Sequence, residues 1–395
     1  MTFDREELLA ALVNASPALA NNFTIPGLDH FWFDGDFVYA YDGGLGVRVA
    51  FKSELGCGLP GKVLLDLLKT SALKQVDMEF DKKDVVLKMG KSKVKLSSLG
   101  SDCSAWAFPS PSKKVFDKAL GILPLTEAVM EAITRVSFAR MSGKPKRVIE
   151  NGVTVIPQRG VVEFYATDSA SIARAVVEED VDKDLPSFIL PWPFVDQLLE
   201  LVEPGASLHV LDDCLMVVGK GVLVCSHTLE LGENNGALPT TISPYVRDEG
   251  DVVVDIPGGL QAVLDRAMIL SGQKETLVSL SVEGKLLIVE GKYGLGSLYE
   301  ELPIKGKLSE VSTDFPAHLV RRGLSQAKNI LLSTRAMVLD DGSDFVYVLA
   351  AKHTPQDVSK VKRGKAEEEV EEEVEKIEKP VRRKLRSSLD DEIPF

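Results

Sequence analysis

Gly56–Val63 reads GCGLPGKV and satisfies the spacing G-x-x-x-x-G-K, in which backbone N–H groups and a lysine could cradle a phosphate. That chemistry also needs Ser or Thr after the lysine and a βαβ setting. Here Val63 follows Lys62, and Pro60 marks a helix start amid antiparallel patterning, so a nucleotide site is not expected. Asp168, in Ala166-Thr167-Asp168, is a carboxylate in a turn sequence and is read as a turn cap rather than an acid or base. No G-x-S-x-G, H-E-x-x-H or C-x-x-C occurs, and the five histidines lack H-x-x-x-H spacing. The expectation is therefore a non-enzyme with no metal and no cofactor. The four cysteines, Cys57, Cys103, Cys214 and Cys225, read as reduced core thiols, although Cys214 and Cys225 could face each other across a hairpin.

What remains is electrostatic and peptide-like chemistry. MSGKPKRV, beginning at Met141, packs Lys144, Lys146 and Arg147 into four residues, the density needed to touch phosphates. Arg135, Arg140, Arg266, Arg321, Arg322 and Lys328 lie on or beside amphipathic segments described below. The formal net charge is −13, which argues against binding nucleic acid through the whole surface but not through one confined face. Residues 354–395 form a charged, nearly aromatic-free tail with a Glu-rich middle, read as disordered, that ends in Asp390, Asp391, Glu392, Ile393, Pro394 and Phe395.

These residues are positioned by a unit written three times. LLAALVNAS from Leu8, VMEAITRVS from Val129 and LQAVLDRAM from Leu260 each repeat apolar residues three and four apart, as one face of a helix requires; their starts are 121 and 131 residues apart. A second helix family begins LPGKVLLDLLK at Leu59, LPWPFVDQLLELV at Leu190 and FPAHLVRRGLSQAK at Phe315, with Pro60, Pro191 and Pro316 expected in the first turn. Stretches with turn signals and apolar–polar alternation lie between, such as Phe31–Gly43, Gly160–Val177 and Leu277–Gly291. The expected class is α+β: three repeats of helix, strands, helix, strands, at 1–112, 113–240 and 241–353, with helices layered against antiparallel sheets. The N-terminus MTFDREELLAAL has no signal-peptide pattern, and no apolar run approaches the ~18 residues of a membrane span, so a cytoplasmic location is expected.

The three-fold repetition, with the stretches FDGDFVYAYDG, NGVTVIPQRGVVEFYATDSASIA and AMILSGQKETLVSLSVEGKLLIV in order, resembles the bacterial-type DNA polymerase III sliding clamps. The chain reads as a divergent member, with a phage origin left open. The resemblance implies a ring formed by a head-to-tail homodimer, with helices lining the hole and sheets outside. It implies a processivity factor that holds double-stranded DNA by enclosure, serves a DNA polymerase, and is opened by a clamp loader. The nine cations named above would touch phosphates. A peptide pocket would be lined by Thr167, Ile172, Pro239, Val348 and Ala350. The subunit seam would bring Ile269 and Leu270 against the edge strand holding Val94 and Leu96.

The sequence departs from the family pattern at Asn21 and Asn22, which stand in place of a basic residue, at Glu150, where an aliphatic residue is usual, at Ser169-Ala170-Ser171, and at Ala350. The ending DDEIPF resembles the tip of bacterial single-stranded-DNA-binding proteins, which docks on replication and repair proteins. That ending also motivates the rival reading, a single-stranded-DNA-binding or replication scaffold protein acting through its tail.

Overall fold

Asp4 opens the first helix: its carboxylate accepts hydrogen bonds from the N–H groups of Glu6 and Glu7 at 2.9 and 3.0 Å. The structure is a computed structural model. It describes residues 1–21, 25–81, 84–100, 108, 112–141, 143–229, 237–245, 254–273, 276–306 and 311–352. The calls on Asn22, Cys103 and residues 354–395, including the DDEIPF tip, lie outside the described residues. The α-helices described are Arg5–Ala15 (α1), Gly61–Thr70 (α2), Lys113–Phe116 (α3), Glu127–Ser137 (α4), Trp192–Leu201 (α5), Ala237–Ile242 (α6), Leu260–Ser271 (α7) and Ala317–Leu324 (α8).

Pro60, Pro191 and Pro316 cap α2, α5 and α8 rather than sitting in their first turns. Each is also the last residue of a strand, Cys57–Pro60, Phe188–Pro191 or Ser312–Pro316. A proline there ends the ladder and sets φ near −60° for the helix that follows, without costing a helical hydrogen bond. The G-x-x-x-x-G-K match spans such a junction. Its strand pairs antiparallel with His30–Phe33, and the Gly61 N–H donates to the Asp29 carbonyl at 2.8 Å, so the loop is already occupied by its own chain.

Four antiparallel sheets carry the helices, and two of them pass from one repeat into the next. Val222–His227 pairs with Leu45–Ala50, with Val224 opposite Val47 and Cys225 opposite Gly46. Ser171–Glu178 pairs with Phe345–Ala350, with Ala173 opposite Tyr347 and Ile172 opposite Val348. These two pairings are the same joint used twice, between the first and second repeats and between the second and third. The strands that hold the corresponding places at the far ends, Ser92–Ser97 and Gly296–Pro303, each terminate a four-stranded sheet.

The helices bury their apolar stripes against these sheets. α1 packs on Phe37–Tyr41 and Leu45–Ala50, α4 on Val161–Thr167 and Ser171–Glu178, and α7 on Leu286–Tyr293 and Gly296–Pro303. Leu8, Leu12, Ile133, Val136, Val263 and Leu264 join one continuous core with inward strand residues such as Val47, Ala173 and Leu298. Among the described residues, no helix is long and apolar enough to cross a membrane.

Candidate nucleic-acid interface and inter-repeat seams

The helices of each repeat pack in pairs, α1 with α2, α4 with α5 and α7 with α8, with their apolar residues in the core and most of their charged residues outside it. These six helices carry seven Lys or Arg against eight Asp or Glu, so the face is mixed in sign rather than basic. Arg140 donates to both oxygens of Asp196 at 3.0 and 2.9 Å and lies over the Trp192 ring, bridging the ends of α4 and α5. Arg321 Nε donates to Asp265 at 2.5 Å, bridging α8 and α7 in the same way. Arg266 forks onto Glu300 with two contacts of 2.6 Å.

Arg135 faces the next repeat. It donates to Asp341 at 2.7 Å and stacks over Phe345 at 4.6 Å, with only 20% of its side chain exposed. Arg322 stands 3.9 Å from Asp168 across the same junction. Lys328 is exposed, with its backbone tied to Ile256 and Asp340. Of the nine cations expected to contact phosphate, six therefore already face a carboxylate of their own chain, counting Arg147 below. Arg135 is a joint between repeats before it is anything else.

Lys144 and Lys146 are exposed, and their loop is built on Glu150. The Glu150 side chain has no exposed surface. It accepts from the Lys146 N–H at 2.7 Å, from Arg147 N–H and Nε at 3.3 and 2.9 Å, and from the Ser169 hydroxyl. Burial would push this carboxyl up, but the donors from Ser169, Lys146 and Arg147 outweigh it and hold it at about 2. Ser169 reaches it from a turn with φ of 70°, shaped by Asp168, whose carboxylate accepts from Ala170 N–H at 3.1 Å and from Ser171 N–H and hydroxyl at 2.8 Å each. Asp168 is thus a turn cap. The bond between Glu150 and Ser169 was not anticipated, yet both residues had been marked as departures from the family pattern. Two departures that compensate each other were the available signal.

The five pocket residues fall on one side of the second seam. Thr167 pairs with Ile172, Ile172 with Val348 and Val348 with Val338, giving a row across four strands. Neighbouring side chains turn the other way into the helix-side core, so this row faces away from the helices. Ile149, Tyr165, Leu238 and Ile242 close around it, and α6 brings Pro239 beside Leu238. Ala350 is exposed at the end of its strand, its N–H bonded to the Ala170 carbonyl at 2.9 Å.

Toward one free edge, Ile269 of α7 is 72% exposed, Leu295 in the turn before Gly296–Pro303 is 75% exposed, and Tyr299 on that strand is 60% exposed. Leu270 is half-buried against the core. On the other edge, Leu96 is buried within its own chain and Val94 partly so, because the period of two turns both inward and leaves Lys93 and Lys95 outside. Val94 and Leu96 therefore continue the core rather than stand out as knobs.

Cys57, Cys214 and Cys225 are free thiols, each raised by burial. Among the described residues, no group of His, Cys, Asp or Glu is arranged to hold a metal ion. A cavity at the first seam, lined in part by Lys114, Lys118 and His227, was not foreseen.

Neither a protein-family model nor a curated protein sequence matches the chain. Solved structures do match along almost its whole described length. The chain is similar to DNA polymerase III subunit beta from Pseudomonas aeruginosa, with 17% identity, a TM-score of 0.73, and coverage of 89% of this chain and 99% of that one. It is similar to the DNA polymerase sliding clamp of Bacillus subtilis, with 16% identity, a TM-score of 0.74, and coverage of 89% and 98%. It is also similar to a sliding clamp from Bartonella birtlesii bound to griselimycin, with 16% identity, a TM-score of 0.76, and coverage of 89% and 99%. The chain has the α+β fold of the bacterial sliding clamps.

Proposed function

We propose that the chain is a DNA polymerase sliding clamp, a non-enzymatic ring subunit that encircles duplex DNA in the cytoplasm and tethers a polymerase to it. Its repeats 1–112, 113–240 and 241–353 would each form one domain, and two copies would close head to tail. The observation that carries this reading is the seam. The same strand pairing joins first to second and second to third repeats, and its two halves, Ser92–Ser97 and Gly296–Pro303, are sheet edges among the described residues.

Carrying the internal registers to the free edges sets Val94 opposite Leu298, as Val224 faces Val47 and Tyr347 faces Ala173. Lys93 then meets Tyr299. On that face Glu301 would be the diagonal neighbour of Lys93, so these opposite charges would approach when two copies align, while Lys95 already pairs with Asp84 and Glu300 with Arg266. Such an edge would cover exposed Ile269, Leu295 and Tyr299.

The helix face fits holding by enclosure better than holding by contact. Most of its arginines are neutralised in place, and exposed Lys144, Lys146 and Lys328 are left to touch phosphates without reading bases. The row Thr167, Ile172, Val348 with Pro239 and Ala350 would receive short apolar peptides of the polymerase and of a clamp loader. The DDEIPF tip would recruit proteins that read the tails of single-stranded-DNA-binding proteins.

The test is retention. The protein, loaded on nicked circular duplex, should stay through gel filtration and leave when the circle is cut; equal loss from circle and line would overturn the proposal. A single-strand binder would instead hold linear single strands. Among the described residues, the large exposed aromatics Phe80 and Tyr299 stand on different sheets and form no stacking platform.

A further inference from the structure

A cavity of about 710 Å³ opens where the first and second repeats share a sheet. It lies on the side away from the helices. Along Cys214–Gly219 and Val222–His227, Leu215, Val217 and Val224 face the helix core, while Met216, Leu223 and Cys225 gather with Leu211 and Phe108 on the opposite face. By register it is the counterpart of the second-seam row: Cys225 opposite Gly46 corresponds to Val348 opposite Ile172.

The floor is apolar, built from Met216, Leu211, Cys214 and Cys225, with Val115 of α3 as one wall. The rim is polarised. Lys114 and Lys118, both exposed, stand on one side, and Asp212 and Asp213 belong to the turn leading into Cys214. The Tyr41 hydroxyl and His227 Nε2, 2.9 Å apart, mark the seam edge. This size and make-up suit two or three apolar side chains carried by a peptide with charges at both ends.

We infer that this first-seam cavity is a docking site for the chain's own C-terminal end. The segment 384–395 reads KLRSSLDDEIPF, with two cations, then three carboxylates, then Ile-Pro-Phe with its terminal carboxylate. Its polarity matches the rim. Asp390, Asp391, Glu392 and the terminal carboxylate meet Lys114 and Lys118, Lys384 and Arg386 meet Asp212 and Asp213, and Ile393 and Phe395 fill the apolar floor. Forty-three residues follow Lys352, the last described residue. A chain of that length spans roughly 35 Å even at random-coil dimensions, enough to cross a domain. Docking shelters the tip, and a competing partner frees it. The site requires neither a closed ring nor DNA.

The test uses the full chain with its own tip disabled by Ile393→Ala and Phe395→Ala, and a labelled synthetic peptide of residues 384–395 followed by fluorescence anisotropy. Saturable binding is expected, weakened at least about tenfold by adding Lys114→Glu and Lys118→Glu, and by added salt. Both lysines are exposed, so the substitutions leave the core alone. Ala350→Glu at the second seam should leave the affinity unchanged. No saturation at millimolar peptide, or a loss caused by Ala350→Glu and not by the lysine reversals, would overturn the assignment.

Discussion

Replacing Glu150 by Gln tests whether one buried carboxylate holds the basic loop in place. The carboxyl is held at about 2 against an ordinary value of 4.5. That difference corresponds to about 3 kcal/mol, and to roughly 2–3 kcal/mol once solvent screening at the half-exposed Arg147 is allowed for. Because the group titrates lower in the folded chain than in the unfolded one, its contribution is complete above pH 4.5 and fades as pH falls toward 2. Glutamine keeps one acceptor but turns an amide N–H₂ toward N–H groups that also donate. The Lys146 and Arg147 amides, which donate to this carboxylate, report the change directly. In Glu150→Gln their hydrogen exchange should quicken roughly 30- to 150-fold, with core amides such as that of Val155 unchanged. A local readout is preferable to a melting curve, since three joined repeats need not unfold in one step. Unaltered exchange at both amides, or no protection of them in the parent chain, would refute the claim that Glu150 builds the loop.

Arg135→Ala should destabilise the joint between the second and third repeats by about 2–3 kcal/mol, because Asp341 is left a largely covered, unpaired carboxylate; a double-mutant cycle with Asp341→Ala should show coupling of about 1–2 kcal/mol in urea unfolding. Burial raises the Asp341 carboxyl, but Arg135 and the Ser343 and Phe345 N–H groups lower it further, so this coupling should shrink as acid protonates it. Lys93→Glu should shift sedimentation toward single copies, and adding Glu301→Lys should restore part of the association. Gly323→Ala should lower thermal stability by about 1–3 kcal/mol, since the new methyl would lie 2.3 Å from Tyr347 Cδ1 and 2.7 Å from Leu339 Cδ1.

The repeat was legible because its signals are local. Apolar spacing in Leu8–Ala15, Val129–Val136 and Leu260–Ala267 marks helix faces, and the Pro60, Pro191 and Pro316 junctions mark strand-to-helix corners. Sharing of sheets between repeats was not legible. Nothing in the 222–227 stretch names 45–50 as its neighbour, since strand pairing is a long-range choice. The cations illustrate a second limit. Arg140, Arg266 and Arg321 could be placed near helix faces from sequence, but their carboxylate partners lie 34 to 56 residues away. The residues expected to line a peptide pocket came from the family resemblance, and alternation along their paired strands then puts Ile172 and Val348 on one face. The first-seam cavity escaped notice because its apolar floor comes from hairpin residues that read as ordinary core.

One consequence of the repeated seam concerns where such an assembly would part. Two joints of this kind are held together by the polypeptide running through both repeats, which acts like a millimolar supply of the missing half. A joint between separate copies has only their concentration in solution. At micromolar protein, the same contacts would be weaker there by about 4 kcal/mol. In such an assembly the place of opening would be fixed by the covalent wiring of the chain, with no need for the contacts at that joint to be poorer than the others.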